Sequence, residues 1–124
     1  MREIKFRAWG GPDEGMVDAF AVFSDGSWTI QQPVFEAKWP LMQFTGLKDK
    51  NGVEIYEGDI VGIDYPKVIR FSEYYGAFVG VPISQLDITW MNPEQTVTQK
   101  WFDELDITVI GNVHANPELL THDI

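Results

Sequence analysis

Leu41-Met42-Gln43-Phe44-Thr45-Gly46-Leu47-Lys48-Asp49-Lys50-Asn51-Gly52-Val53-Glu54-Ile55-Tyr56-Glu57-Gly58-Asp59-Ile60-Val61 writes two turns and three strands. Asn-Gly is the strongest short hairpin signal, because both residues tolerate the positive φ angles of a type I′ turn. The spacing therefore predicts that Phe44 to Leu47 runs up and Val53 to Tyr56 returns, with Asn51 and Gly52 both in the left-handed region. Gly58 permits a second corner into Ile60-Val61-Gly62-Ile63-Asp64-Tyr65, whose period of two places Val61, Ile63 and Tyr65 on one face.

Outward from this module the chain keeps the same grammar. Glu3 to Trp9 alternates, with Ile4, Phe6 and Ala8 on an apolar face and Glu3, Lys5 and Arg7 on a polar one, the pattern of a half-buried antiparallel strand. Asp25-Gly26 punctuates a hairpin between Ala19–Phe23 and Ser27–Ile30, and Pro33 and Pro40 bound an irregular or edge segment. Pro66-Lys67 turns Tyr65 back into Val68–Phe71, Tyr74-Tyr75-Gly76 breaks before Ala77–Val81, and Leu86–Trp90 reads as a further strand. Lys100 to Leu105 fits one helical turn with Trp101, Phe102 and Leu105 on one face. Asp106 to His114 reads as the last long strand, followed by a turn with Asn116 as N-cap and Pro117 in the first position. Many short strands between Gly and Pro turns, with very little helix, predict a single mainly β domain over 1–124: an SH3-like, partly open β-barrel of antiparallel strands with extra hairpins.

The bulk properties narrow the function classes. A chain of 124 residues can bury roughly two-thirds of its unfolded surface. It contains no Cys, which removes zinc ribbons, thiol nucleophiles and redox couples. The charged, alternating N-terminus is unlike a signal peptide, and no run of about 18 apolar residues is present to span a membrane. The expected location is the cytoplasm. The net charge is −10, and residues 71–124 hold eight acidic side chains against one basic residue, Lys100. Such a surface repels nucleic-acid phosphates.

Three blocks resemble the YopX family of small phage and prophage proteins: Arg2-Glu3-Ile4-Lys5-Phe6-Arg7-Ala8-Trp9, the segment Leu41 to Val61, and Val109 to Leu120. They stand at the start, middle and end of the chain in order. The resemblance implies a mainly β, SH3-barrel-like fold and an origin in phage or integrated-phage DNA, and it brings no established activity. It marks Gly46, Asn51, Gly52, Gly58, Asp59, Gly111, Asn116 and Pro117 as structural motif positions. The family pattern usually has an aromatic where His114 stands and one such as Tyr where Phe44 stands. Segments 10–40 and 72–100 carry no family signature, so specificity peculiar to this chain is expected there.

Side chains able to carry chemistry are few. His114 and His122 are the only histidines, one at a strand end and one in the tail. Ser24, Ser27, Ser72 and Ser84 lack a Gly-x-Ser-x-Gly context, and calcium-loop spacing is missing. Glu57 and Asp59 fit a corner in which Asp accepts backbone N–H bonds, while Asp103, Glu104 and Asp106 read as a solvated charge run. Trp9, Trp28 and Trp90 lie in strand patterns and read as packing. Trp39, Tyr74 and Tyr75 lie in loops and are the candidate protein-contact residues, since Trp and Tyr give large contact area at low entropic cost. The expectation is a non-enzymatic interaction module needing neither cofactor nor metal. Its partner would be a host or phage protein, and homo-oligomerisation stays open. Two alternatives remain: an acidic nucleic-acid mimic using the 71–124 half, and a nucleic-acid-binding barrel using Arg2, Lys5 and Arg7.

Overall fold

The computed structural model describes residues 4–22, 28–30, 39–62, 66–85 and 95–120, with side chains over 4–18, 39–62, 66–84 and 96–120. It is mainly β and antiparallel throughout, with one sheet curled into a half-barrel. The first sheet contains β1 (Phe6–Trp9), β2 (Met16–Val22), β3 (Trp28–Ile30), β4 (Leu41–Lys48) and β5 (Glu54–Tyr56), in spatial order β3-β2-β1-β4-β5. The second contains β6 (Asp59–Val61), β7 (Lys67–Ser72), β8 (Ala77–Pro82), β9 (Gln95–Thr96) and β10 (Val109–Asn112), in the order β10-β6-β7-β8-β9. Two short helices, α1 (Gly11–Glu14) and α2 (Gln99–Glu104), and single 3₁₀ turns at Ile83–Gln85 and Pro117–Leu120 complete it.

The β4–β5 connection is a hairpin, but of a different kind from the one its Asn-Gly predicts. Gly52 has φ +82°, whereas among the described residues Asp106 is the one non-glycine with positive φ, so Asn51 is not left-handed. Gly52 N–H donates to the Asp49 carbonyl at 3.0 Å and Asp49 N–H to the Val53 carbonyl at 2.9 Å. This is a β-turn closed by one left-handed glycine rather than a two-residue type I′ turn. Asp49 decides between them. Its buried carboxylate accepts from Asn51 N–H and Val53 N–H, each at 2.9 Å, and from Val109 N–H at 3.0 Å, so the side chain supplies acceptors that the shorter turn would not need.

Gly46 serves inside β4 rather than at a turn. The β4–β5 register shifts between Phe44↔Tyr56 and Lys48↔Glu54, and Gly46, at φ +86°, lies within the shift. The Thr45 hydroxyl donates to the Ile55 carbonyl at 2.7 Å and accepts from Leu47 N–H at 3.1 Å, which satisfies the backbone that the bulge leaves unpaired.

Between β4, β5 and the second sheet, Ile55, Val61, Ile69, Val97 and Phe102 form the main buried cluster, with Leu47, Phe78 and Trp101 packed against it. α2 exists to deliver Phe102. Thr98 caps it by accepting from Trp101 N–H at 3.2 Å, and Phe102 is fully buried. Trp101 is half-buried on the same cluster, but Leu105 lies past the helix end and is 56 % exposed, so the expected three-residue apolar face holds only two. The last strand is likewise shorter than the 106–114 stretch: Asp106 takes a left-handed φ of 54°, and pairing with β6 runs only from Val109 to Asn112. The hairpin of β2 and β3 forms as read, Ala19↔Ile30 to Val22↔Trp28. The stretches 63–65 and 86–94, with the faces assigned to Ile63 and Tyr65 and the strand at Leu86–Trp90, lie outside the described residues, as does His122.

On β1 both faces carry buried groups. Ala8 is buried against Val17, Trp39 and Leu41, yet Ile4 is exposed, and the supposed polar face turns Arg7 inward. Trp9 follows it, packing with Met16 on Met42, Phe44 and Tyr56. One face of β1 meets Val17, Trp39 and Leu41 and the other meets Asp59 and Tyr56, so alternation in polarity no longer marks inside from outside.

Candidate functional site

β7 and β8 pair from Lys67↔Pro82 to Ser72↔Ala77, but β6 accompanies β7 only at Lys67 and Val68. Beyond those rungs β7 loses its strand partner on the β6 side, while β8 stays flanked by β9 at Val79 and Gly80 and by Val97, whose N–H reaches the Phe78 carbonyl at 3.4 Å. The β7–β8 turn is stiff. Gly76, at φ +64°, donates its N–H to the Ser72 carbonyl at 2.8 Å, and the hydroxyl of buried Ser72 accepts from Tyr75 N–H at 3.2 Å. The arrangement holds Tyr74 and Tyr75 outward, 80 % and 44 % exposed, with their rings edge to face at 5.0 Å. Behind them the cross-strand pair Phe71↔Phe78 stacks edge to face at 5.4 Å. Phe78 reaches the main core, whereas Phe71 is 48 % exposed. Phe71, Tyr74 and Tyr75 thus leave three large rings in part or mostly in water on one hairpin.

Tyr74 and Tyr75 are legible in the sequence, but Phe71 is not, because β6 stops short of it and leaves it uncovered. Trp39 belongs to the other sheet. It is half-buried on Ala8, with its ring against Gly10, where a Cβ would stand 3.0 Å from it. Trp101 is likewise half-buried, with the Lys67 ammonium 5.1 Å from its ring centre and the Lys67 pKa pushed down by burial.

The motif positions converge elsewhere. Asp59 is 1 % exposed and accepts from Tyr56 N–H at 2.8 Å, from Asn112 Nδ2 at 3.0 Å and from the Arg7 guanidinium, which also lies over the Tyr56 ring at 4.1 Å. Residues from the start, middle and end of the chain thus share one buried polar cluster. Burial pushes the Asp59 carboxyl above its usual range, opposed by Arg7 and by the Tyr56 and Asn112 donors. Burial also raises the Tyr56 hydroxyl. Gly58 stands at φ +89° with Met42 Sδ 3.3 Å from where a Cβ would be, so the corner admits no side chain. Asn112 Oδ1 accepts from His114 N–H at 2.9 Å, and Asn116 Oδ1 from Asn112 N–H at 3.1 Å. The Asn116 side chain therefore reaches back to β10, while its carbonyl takes Leu119 N–H at 3.0 Å at the head of the turn opened by Pro117. Gly111 lets that turn close: a Cβ there would lie 2.5 Å from Leu119 Cδ1.

The remaining polar candidates are occupied locally. Asp103 accepts from Gln99 Nε2 at 3.0 Å, Glu104 lies 3.9 Å from the Lys100 ammonium and Asp106 pairs with Lys50. Lys5 pairs with Glu54 and stands 4.6 Å over the Phe44 ring. Glu57 Oε1 accepts from Gln43 N–H at 3.4 Å. Among the described residues no group of three His, Asp or Glu is placed to hold a metal ion, and no helix is long and apolar enough to cross a membrane.

Comparison with known proteins agrees with the convergence of the three blocks. The family model described as YopX protein matches residues 5–121. Protein EF1440 from Enterococcus faecalis, known from a crystal structure, is similar over 98 % of this chain and 100 % of its own, at 29 % identity and a TM-score of 0.67. No curated protein matches.

Proposed function

The chain belongs to the YopX family, and on that premise we propose that it is a phage- or prophage-encoded accessory protein that binds another protein through the tip of its β7–β8 hairpin. In this reading it works in the bacterial cytoplasm, on a host or phage protein, and performs no reaction of its own. The observation that carries the reading is the outward presentation of Tyr74, Tyr75 and Phe71 by a turn that Ser72 and Gly76 hold rigid. Rigid aromatics bind with little entropy to lose. Tyr74 and Tyr75 also fall in 72–100, outside the blocks that carry the family likeness.

The rival readings find less support. A mimic of nucleic acid needs carboxylates free to meet a basic groove, yet Asp103, Glu104 and Asp106 each have a neighbouring donor or cation. A nucleic-acid-binding barrel would need Lys5 and Arg7, and both are engaged by carboxylates. An enzyme needs a titratable group with spare bonding capacity. The buried carboxylates Asp49 and Asp59 spend theirs on backbone N–H groups, Asn112 and Arg7.

Site-specific photo-crosslinking tests the reading. Benzoylphenylalanine in place of Tyr74 should give a discrete adduct with one protein in the bacterial host, and the same group in place of exposed Lys100 should not. Equal labelling from both positions, or none from Tyr74, would contradict it.

A further inference from the structure

Among the described residues, side chains meet the outward backbone groups of several strands. On β10, Asp49 Oδ2 takes Val109 N–H at 3.0 Å and Asn116 Oδ1 takes Asn112 N–H at 3.1 Å. At the end of β4 the Gln99 amide both donates to the Lys48 carbonyl, at 2.6 Å, and accepts from Lys48 N–H, at 2.9 Å, as a neighbouring strand would. On β5, Asp59 takes Tyr56 N–H. Such caps block unwanted strand pairing.

The distal edge of β7 has no such cap among the described residues. In an antiparallel ladder, alternate residues turn their N–H and C=O to opposite neighbours. The Ile69 carbonyl accepts from Gly58 N–H at 2.7 Å, which assigns Ile69, and with it Phe71, to the β6 side of β7. Pairing with β6 has stopped at Val68. Among the described residues no backbone group reaches Phe71 on that side. An open donor and acceptor thus lie beside an exposed phenyl ring and within two turn residues of exposed Tyr74.

We infer that this edge takes up an extended, Arg- or Lys-bearing segment of a protein partner, which adds to β7 as an extra antiparallel or parallel strand. The inference rests on the contact role proposed above for the hairpin tip and names the partner's chemistry. Strand addition supplies main-chain bonds to Phe71 and leaves alternate side chains of the guest facing the rings. Charge selects a cationic guest: Glu73 stands at the tip itself, in a chain of net charge −10. Arg70, the nearby base, alternates to the face opposite Phe71. The chain already places cations on rings, with Lys5 over Phe44, Arg7 over Tyr56 and Lys67 over Trp101, and Tyr74 offers a guest the same partner. The net charge of −10 also works against a second copy as the occupant.

The test uses fluorescein-labelled peptides of about seven residues, the length of an ordinary strand, in alternating Arg–Val, alternating Glu–Val and Arg–Gly sequences. Anisotropy should rise with the Arg–Val peptide, less with Arg–Gly, which has the charge but not the strand propensity, and not with Glu–Val. Amide exchange in the complex is the direct readout: Phe71 N–H should slow by about tenfold or more, because exchange then requires release of the guest. Phe71→Pro, which removes the N–H at an edge position, should bind worse than Phe71→Ala, which removes only the ring. Unchanged Phe71 exchange in a saturated complex overturns strand addition, and equal affinity for Glu–Val overturns the cationic guest. Phe71 protection without peptide, accompanied by a dimer in sedimentation, would replace the partner by a second copy. A tip crosslink at Tyr74 that persists while the peptides fail leaves the contact role standing and removes only this inference.

Discussion

Asp59 shows how one residue ties distant sequence together. Its carboxylate meets Arg7 and Asn112, 52 and 53 positions away, and no local pattern could have joined them. Reading Arg7 as solvent-facing followed from its charge. What overrides the charge is a partner supplied by a different block and an aromatic ring to lie on. Removing one member of such a pair leaves the other buried, so Asp59→Ala should cost about 3–5 kcal/mol in denaturant unfolding. The same substitution should cost clearly less in an Arg7→Met background, and strictly additive losses would show that the two do not act together. His114 offers a pH readout. Burial lowers its pKa below the ordinary histidine value of 6.5, so the unfolded chain takes the proton first. Its contribution to stability is present above 6.5 and is lost as pH falls through the lower folded value. The melting midpoint should therefore fall between about pH 7.5 and pH 5.5, and His114→Phe should remove part of that fall. An identical slope in the variant would assign the fall to other groups.

At the scale of elements, the hairpin of β4 and β5 separates what local sequence can say from what it cannot. Asn51-Gly52 places the reversal correctly, and Gly52 has the positive φ it requires. The turn type was not legible, because it is set by Asp49, whose second oxygen is held by Val109 of the other sheet. This gives opposite expectations for adjacent residues. Gly52→Val should lose about 1–2 kcal/mol, since a β-branched side chain is forced into the left-handed region. Asn51→Ala should change stability by less than about 0.5 kcal/mol, whereas a type I′ turn would make it costly. Thermal unfolding of the two variants decides between the turns. The helix α2 carries a similar lesson. The buried Phe102 was legible in the pattern, but the Thr98 cap was not, and Leu105 follows the last helical residue, so its exposure depends on where the helix ends.

For the molecule as a whole, strands, turns and the mainly β class were legible because each is written in a few adjacent residues. The pairing of two sheets through Arg7, Tyr56, Asp59 and Asn112 was not, and neither was the overhang of β7 and β8 past the end of β6. Tyr74 and Tyr75 could be read from their loop position, while Phe71 became part of the site only when its neighbouring strand proved too short to cover it. The account divides the chain into a scaffold, held by the motif residues, and a contact surface on the hairpin between them. Its most direct test is to measure melting midpoint and partner capture together for the double variant Tyr74→Ala, Tyr75→Ala, with Asp59→Ala as the scaffold control. Both tyrosines are exposed in the free protein, so the double variant should melt within a few degrees of the wild type yet lose its partner from host lysate. The control should melt much earlier. Full retention of every captured protein by a normally folded double variant would contradict the claim that this hairpin tip is the functional surface.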